Sequence, residues 1–505
     1  MASMDMVEWI ISRRRAVVHN IRALDGGNLG KSYNALFNVR LLIAGFFFLI
    51  SFFSKTLRLN SFVAFLWVPY FMILLKTNSR FFFRYIVFYF NVSLALCGVY
   101  LIESTDIWLY ELGVYSEYAG AFPLFCAYYM AFLLAMEFFD TKFSSLSSPA
   151  IPCAHKYRHK NLTFGILRGL IFLCILLIGV SFCRVLSHPN FYDRLDRFIY
   201  ARLYLSGIWQ KIRGWLIYFI PSLLIGMNLF KRKALPLAAF AFYLFYLIWT
   251  GERYTAFSQI VFLSSSFLVI FKEQMDFKSL RAKKHSNLSL LFLVLAFLSL
   301  IFCNIINQYS QGLSSAKGLN SLYLRIAEQG QLWWRTFSLF SGKMPHISEL
   351  SDELLAFTAP HSVTPYYGIY KIMYLCAPSN IVTAKIASQQ GYTESSAASI
   401  YYYFGRAALM LFAVIMGYAL AKLVYEYNRS IIESRILESV LWARLLMVML
   451  NVFSMSRFYL LLRPSTLLVL FGLVLLDAMT NARKSRRSAH SNAFYAETPY
   501  FQCSD

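Results

Sequence analysis

The side chains in this sequence best suited to chemistry are arginines grouped where a membrane chain rarely keeps them. The segment from His188 to Gly214 carries Arg194, Arg197, Arg202, Lys211 and Arg213 against Asp193 and Asp196. A planar guanidinium donates two parallel hydrogen bonds, which matches phosphate or diphosphate. Pairing of Asp193 and Asp196 with neighbours such as Arg197 is the reading that needs no ligand. A second set is Gly251-Glu252-Arg253, which joins two apolar runs with almost no loop. Ionisable groups held at that depth are costly and are functional candidates; a turn exposed at the interface is the alternative. Arg457 and Arg463 lie at the junction of the last two apolar runs, placed either to face a cavity or to snorkel to the interface.

A transfer reaction also needs a base to take a proton from the acceptor. The segment 304–399 supplies candidates: Arg325, Arg335, His346, Glu349, Asp352, Glu353, His361, Lys371 and Glu394. His361 and Glu394 flank its helical stretches and are the leading bases, with Arg325 and Arg335 as further anion ligands. Polar surface is the plainer reading of each. The segment has no Asp-x-Asp pair to hold a divalent metal on a diphosphate, and the chain has no P-loop and no GxGxxG before a helix. Cys153, His155 and His159 have loosely metal-like spacing but lie in a basic loop without a fourth ligand, and read as surface. No metal and no cofactor are expected.

The elements that must hold these residues are membrane helices. Hydrophobic residues make up 58% of the chain, charged residues 14%, and Phe occurs 48 times. That balance excludes an ordinary soluble domain. Apolar runs at 41–53, 61–75, 83–102, 119–139, 164–186, 215–230, 235–250, 254–271, 287–304, 400–424, 437–455 and 458–477 predict about twelve transmembrane helices. The net charge of +23 would suggest nucleic acid in a soluble protein. Here the excess sits in short alternate loops, as retention of Lys and Arg in the cytoplasm requires, so no nucleic acid is expected. The eight cysteines are scattered and imply no disulfide framework.

The alternation gives a basic cytoplasmic segment 1–40 without a cleavable signal, a membrane domain 41–477, and a cytoplasmic tail 478–505. The loop Glu103–Tyr118, with Glu103, Asp106, Glu111 and Glu117 and no Lys or Arg, falls outside. So does the one long loop, 304–399. That loop predicts a helix over Leu319–Ser341, a second from Pro365 to Cys376, and a third starting at Ser379 with Gly391 past its end. Their apolar faces suggest helices on or dipping into the outer membrane surface. The chain is thus expected to be an all-α polytopic membrane protein with one large helical external loop.

At this point the pattern resembles the bacterial O-antigen polymerases, closest to the branch of the enterobacterial common antigen polymerase. The carrying segments are Ser206–Pro221 (SGIWQKIRGWLIYFIP), Thr250–Thr255 (TGERYT), Gly391–Ser396 (GYTESS) and Tyr403-Phe404-Gly405. The family often has Gly-Thr-Arg or Gly-Ser-Arg where this chain has Gly251-Glu252-Arg253, and the added acid opposes a phosphate role for Arg253. The resemblance implies a GT-C-like membrane glycosyltransferase of the bacterial inner membrane. It would move an undecaprenyl-diphosphate-linked glycan onto a lipid-linked repeat unit at the periplasmic face. Its partners would be the lipid-linked oligosaccharide, membrane lipid and a chain-length regulator. Arg253, Arg213 and Arg202 would contact the diphosphate, and the aromatic residues of the long loop would stack on sugars. An O-antigen ligase shares the architecture. A flippase would show paired repeats and short loops. A membrane acyltransferase would need a His deep in a span, and all eight His lie outside the runs above.

Overall fold

The computed structural model describes residues 28–146, 160–186, 207–230, 233–249, 254–276, 315–351, 369–387, 392 and 395–479. Nearly all of these are helical. The helices are α1 (Asn28–Ile50), α2 (Asn60–Thr77), α3 (Ile86–Ser104), α4 (Phe122–Leu146), α5 (Lys160–Leu186), α6 (Ile208–Leu216), α7 (Ile220–Leu229) and α8 (Ala234–Trp249). They continue as α9 (Tyr254–Asp276), α10 (Ser315–Phe340), α11 (Ile369–Cys376), α12 (Ser379–Ala387), α13 (Ser395–Ile432), α14 (Ile436–Met455) and α15 (Pro464–Met479). A hairpin of β1 (Trp108–Leu109) and β2 (Val114–Tyr115) joins α3 to α4.

Among the described residues, six helical stretches are long and apolar enough to cross a membrane, and five shorter apolar helices accompany them. The chain is therefore an all-α membrane protein. The expected span 287–304 lies outside the described residues. Exposed Leu42, Leu49, Phe65, Phe172, Leu468 and Phe471 face outward from the helices, as side chains against lipid must.

The centre of the bundle is α4. It lies against α1 and α13, and α13 lies against α14. Its two ends are fixed differently. At one end Arg40 donates to both carboxylate oxygens of Glu137, at 2.7 and 3.0 Å, with both side chains sealed from solvent. Asn78 donates to the same carboxylate, and one turn on Arg84 and Tyr85 donate to Asp140. At the other end, nearest the hairpin, the Glu103 carboxylate accepts from Asn60 and from the Ala121 and Phe122 backbone N–H groups. It thereby caps the start of α4 with a buried anion.

The long loop folds largely as its periodicity predicts: Leu319–Ser341 becomes Ser315–Phe340, and the helix expected from Pro365 starts, among the described residues, at Ile369. The partner of its apolar face is protein. α10 packs directly on α3, and its apolar stripe is spent on protein. Trp333 and Trp334 are almost fully buried, and their indole N–H groups donate to the Ala121 and Glu117 carbonyls. Trp333 stacks on Phe125 with centroids 5.0 Å apart. These rings anchor the loop and have no face left for a sugar.

The span expected at 400–424 is longer, running through α13, and is broken at Gly405 (φ 79°, ψ −166°). Only glycine adopts that conformation at low cost. The carbonyl of Tyr402, on the turn before the break, accepts from the His346 backbone N–H, so the loop after α10 straps the kink.

Candidate functional site

α6 carries IWQKIRGWL, a short helix whose polar and apolar residues separate by face. Lys211, Gly214 and Trp215, with Tyr218 just past its end, fall at successive helical spacings and line one cavity of about 320 Å³. Arg444 and Val448, one turn apart on α14, form the opposite wall. Arg463, Ser465 and Thr466 close it at the start of α15. Three cations thus face one space, and no acidic side chain is among the described lining residues.

Two details raise the positive potential further. Pro464 occupies the first position of α15, and the Arg463 carbonyl accepts from the Thr466 and Leu467 N–H groups. The N-terminal, positive end of that helix therefore meets the cavity at Ser465 and Thr466. Arg444 sits about two turns inside a 20-residue apolar helix. An arginine near the middle of a membrane helix costs about 3 kcal/mol on insertion scales. Such a residue persists where an anion or water-filled space offsets the cost. Arg444 is half-buried and close enough to the Tyr218 hydroxyl to act on it electrostatically. Arg463 lies over the Tyr459 ring at 5.2 Å.

The sequence candidates distribute as follows. Arg213 is on α6, but on a face away from the cavity: it acts on Tyr243 and Tyr246 of α8. Arg325 pairs with Glu328 one turn away at 2.9 Å and is 63% exposed. Burial and the nearby Glu111 raise the Glu328 carboxyl above the usual range. Arg335 is half-buried beside Cys376, with its Nε unsatisfied; burial pushes that thiol up to about 12. Arg202, Arg253, His361 and Glu394 lie outside the described residues, as do Cys153, His155 and His159. Among the described residues no group of three His, Cys, Asp or Glu could hold a metal ion.

A second polar group surrounds the Gly405 break. The Glu349 carboxylate accepts from Lys371 at 2.6 Å and from the Tyr402 hydroxyl at 2.8 Å. The hydrogen bond from Lys371 holds Glu349 below the usual carboxylate range. Its basicity is therefore reduced, which suits an anchor better than a general base. His346 stacks on Tyr402 with centroids 4.4 Å apart. Beyond the break, Arg406 donates to the Ser51 carbonyl and covers the Phe52 ring.

Sequence reasoning missed Arg444. Its signal was present, as a lone cation inside an apolar run, but it stands within a span that scores as continuous membrane helix. Lys211 and Arg463 were visible as cations; their convergence on Arg444 is a long-range fact.

Residues 364–470 match the model of a family described as "Family of unknown function (DUF6418)". The match takes in α11 to α14 and the start of α15, hence Arg444, Arg463, Ser465 and Thr466 of the cavity. No curated protein and no solved structure matches the chain.

Proposed function

We propose that this chain is a membrane glycosyltransferase of the bacterial inner membrane. It polymerises surface polysaccharide by moving an undecaprenyl-diphosphate-linked glycan onto a lipid-linked repeat unit. The observation that carries the reading is the convergence of Lys211, Arg444 and Arg463, with a helix N-terminus, on one open cleft between apolar helices, with no acidic side chain among its described lining residues. A lipid diphosphate is the anion that reaches such a place by its own chemistry, with its chain in the bilayer and its charge at protein depth. In this reading the chain has about twelve spans, counting the apolar run 287–304. Both termini are cytoplasmic, and the hairpin end faces the periplasm.

The reaction breaks the bond from the anomeric carbon to the diphosphate oxygen and forms a bond from that carbon to an acceptor hydroxyl oxygen. Charge grows on the departing diphosphate, where Arg444, Arg463 and Lys211 stabilise it. The acceptor proton passes to a base, for which His361 and Glu394 stand as proposals. Arg253 and Arg202 remain proposed further ligands of the diphosphate.

The test is complementation of a deletion strain at matched expression. Wild type should restore a polysaccharide ladder on a gel, and Arg444→Gln should collapse it to a single repeat. A full ladder from Arg444→Gln removes the cavity from the reaction. Loss of every lipid-attached repeat in the deletion points to a ligase or flippase instead.

A further inference from the structure

With Trp333 and Trp334 buried, the aromatic faces open to a sugar lie elsewhere. The hairpin turns its leucines inward and its rings outward: Leu109 and Leu112 are 1% exposed, Trp108 39%, Tyr115 68% and Tyr110 76%. The Trp108 and Tyr115 rings meet edge to face at 4.8 Å. Between the hairpin and α10 lies a cavity of about 180 Å³, lined by Trp108, Leu109, Tyr110, Leu324, Arg325 and Glu328. One wall is therefore aromatic and the other a guanidinium–carboxylate pair.

This platform is rigid. The Leu112 and Gly113 N–H groups donate to the Leu109 carbonyl, and the Ser116 hydroxyl bridges the Ile107 N–H and the Thr105 carbonyl. Glu111, within the turn, accepts from Lys385 and Gln331, and its carbonyl accepts from Tyr392. Gly113 has φ +65°, and a Cβ there would meet Pro378 at 3.0 Å. Two helices of the long loop, α10 and α12, and the residues Pro378 and Tyr392 thus meet a two-stranded turn that leaves the faces of Tyr110 and Tyr115 largely open and that of Trp108 partly so. Pre-organised rings lose little entropy on binding, which is how an aromatic anchor gains affinity.

We propose that this face is a carbohydrate subsite in which Tyr110 and Trp108 stack on a sugar ring while Arg325 and Glu328 take its hydroxyls. An aromatic face accepts the C–H face of a pyranose, and the charged pair offers both donors and acceptors to the equatorial hydroxyls at its edge. The choice of a glycan as occupant rests on the function proposed above, and the subsite would hold the growing chain at a distance from the basic cavity.

The probe is the host's own repeat-unit oligosaccharide, released from its surface polysaccharide by hydrolysis and free of lipid and phosphate. It is titrated calorimetrically into the purified full chain in nanodiscs, and inorganic pyrophosphate is titrated separately. Saturable oligosaccharide binding is expected, weakened roughly tenfold or more by Tyr110→Ala and by Trp108→Ala. Trp108→Phe should recover most of it, and Gly45→Ala, at a glycine with open space around it, should leave it unchanged. Unaltered binding in both alanine variants overturns the subsite. So does quenching of Trp108 by headgroup spin-labelled lipid without an effect on the oligosaccharide, which would make the rings membrane anchors. Pyrophosphate binding without any oligosaccharide binding overturns the subsite and spares the cavity. Failure of both ligands overturns both readings.

Discussion

Gly98 of α3 and Gly330 of α10 meet backbone to backbone. A Cβ at Gly98 would stand 2.5 Å from the Ile326 carbonyl oxygen and 2.8 Å from the Gly330 nitrogen. A Cβ at Gly330 would stand 2.6 Å from Val99 Cγ2 and 2.9 Å from the Gly98 carbonyl carbon. Small residues at a helix crossing let backbones approach within van der Waals range, the usual means of joining helices in a membrane. Here they join a membrane helix to the long loop. That crossing, the Trp333 and Trp334 hydrogen bonds and the Gln331–Glu111 contact hold the hairpin, α10 and the first residues of α4 in register.

Gly330→Ala should accordingly destabilise the protein by about 1–3 kcal/mol, the usual cost of overpacking. Gly45, around which a Cβ meets nothing within 4 Å, is the control. The comparison is made by thermal unfolding in detergent with fluorescence-detected size exclusion. Equal melting temperatures for Gly330→Ala and Gly45→Ala would show that the crossing can relax at no cost.

The Arg40–Glu137 pair sets the opposite end of the bundle. Removing one partner strands a buried charge, which costs about 3–5 kcal/mol, whereas replacing both with apolar residues of similar volume is often neutral. Arg40→Met should thus be worse than Arg40→Met with Glu137→Leu. Asn78 also donates to Glu137 and would lose that acceptor in the double variant, so recovery should be incomplete. A double-mutant cycle on melting temperature reads the coupling; additive losses would mean that the two side chains act independently.

Much of the framework is legible in the sequence. Composition and apolar runs are statements about solvent, and they gave the membrane class directly. The helix at Leu319–Ser341 was readable because Leu322, Ile326, Trp333 and Phe337 recur near helical spacing. Periodicity tells that a face is apolar and not what covers it. The stripe suggests a helix on or dipping into the outer membrane surface, and Gly330 and the Trp333 indole show that it meets α3 and the start of α4. The acids of the loop Glu103–Tyr118 orient the chain by their charge, but Glu103 also caps α4 with help from Asn60, and Glu111 ties the hairpin to Gln331, Lys385 and Tyr392, more than two hundred positions on. The same holds for Arg213 and Lys211. They are two residues apart on α6, so helical geometry sends them to different faces, and only the neighbours decide which face is the site.

The Glu349–Lys371 pair predicts an acid-sensitive strap. The carboxyl is held below its ordinary value in the folded protein, so its contribution is fully present above that ordinary value, near pH 4. It is lost as pH falls through the lower, folded value. Between pH 7 and pH 5 the stability of the strap should be flat, and below about pH 4 it should fall. Hydrogen exchange of the His346 amide, which donates to Tyr402 across the Gly405 break, follows this directly. Glu349→Gln should remove the pH dependence. Identical acid profiles for wild type and variant would assign the loss to other carboxylates.

The two faces of α6 give the sharpest test of the cavity. Lys211 lines it together with Arg444 and Arg463, while Arg213 acts toward Tyr243 and Tyr246. A charge-assisted hydrogen bond to a phosphate is worth about 1.5–3 kcal/mol, or roughly ten- to a hundredfold in affinity. Lys211→Gln, Arg444→Gln and Arg463→Gln should each weaken pyrophosphate binding by that factor, and Arg213→Gln by much less. Raising salt should blunt the effect of the exposed Lys211 more than that of the half-buried Arg444, since screening is weaker away from water. Calorimetry at two ionic strengths reads both differences. A larger loss from Arg213→Gln than from Arg444→Gln would move the anion to the α8 side of α6 and leave the cavity without its proposed ligand.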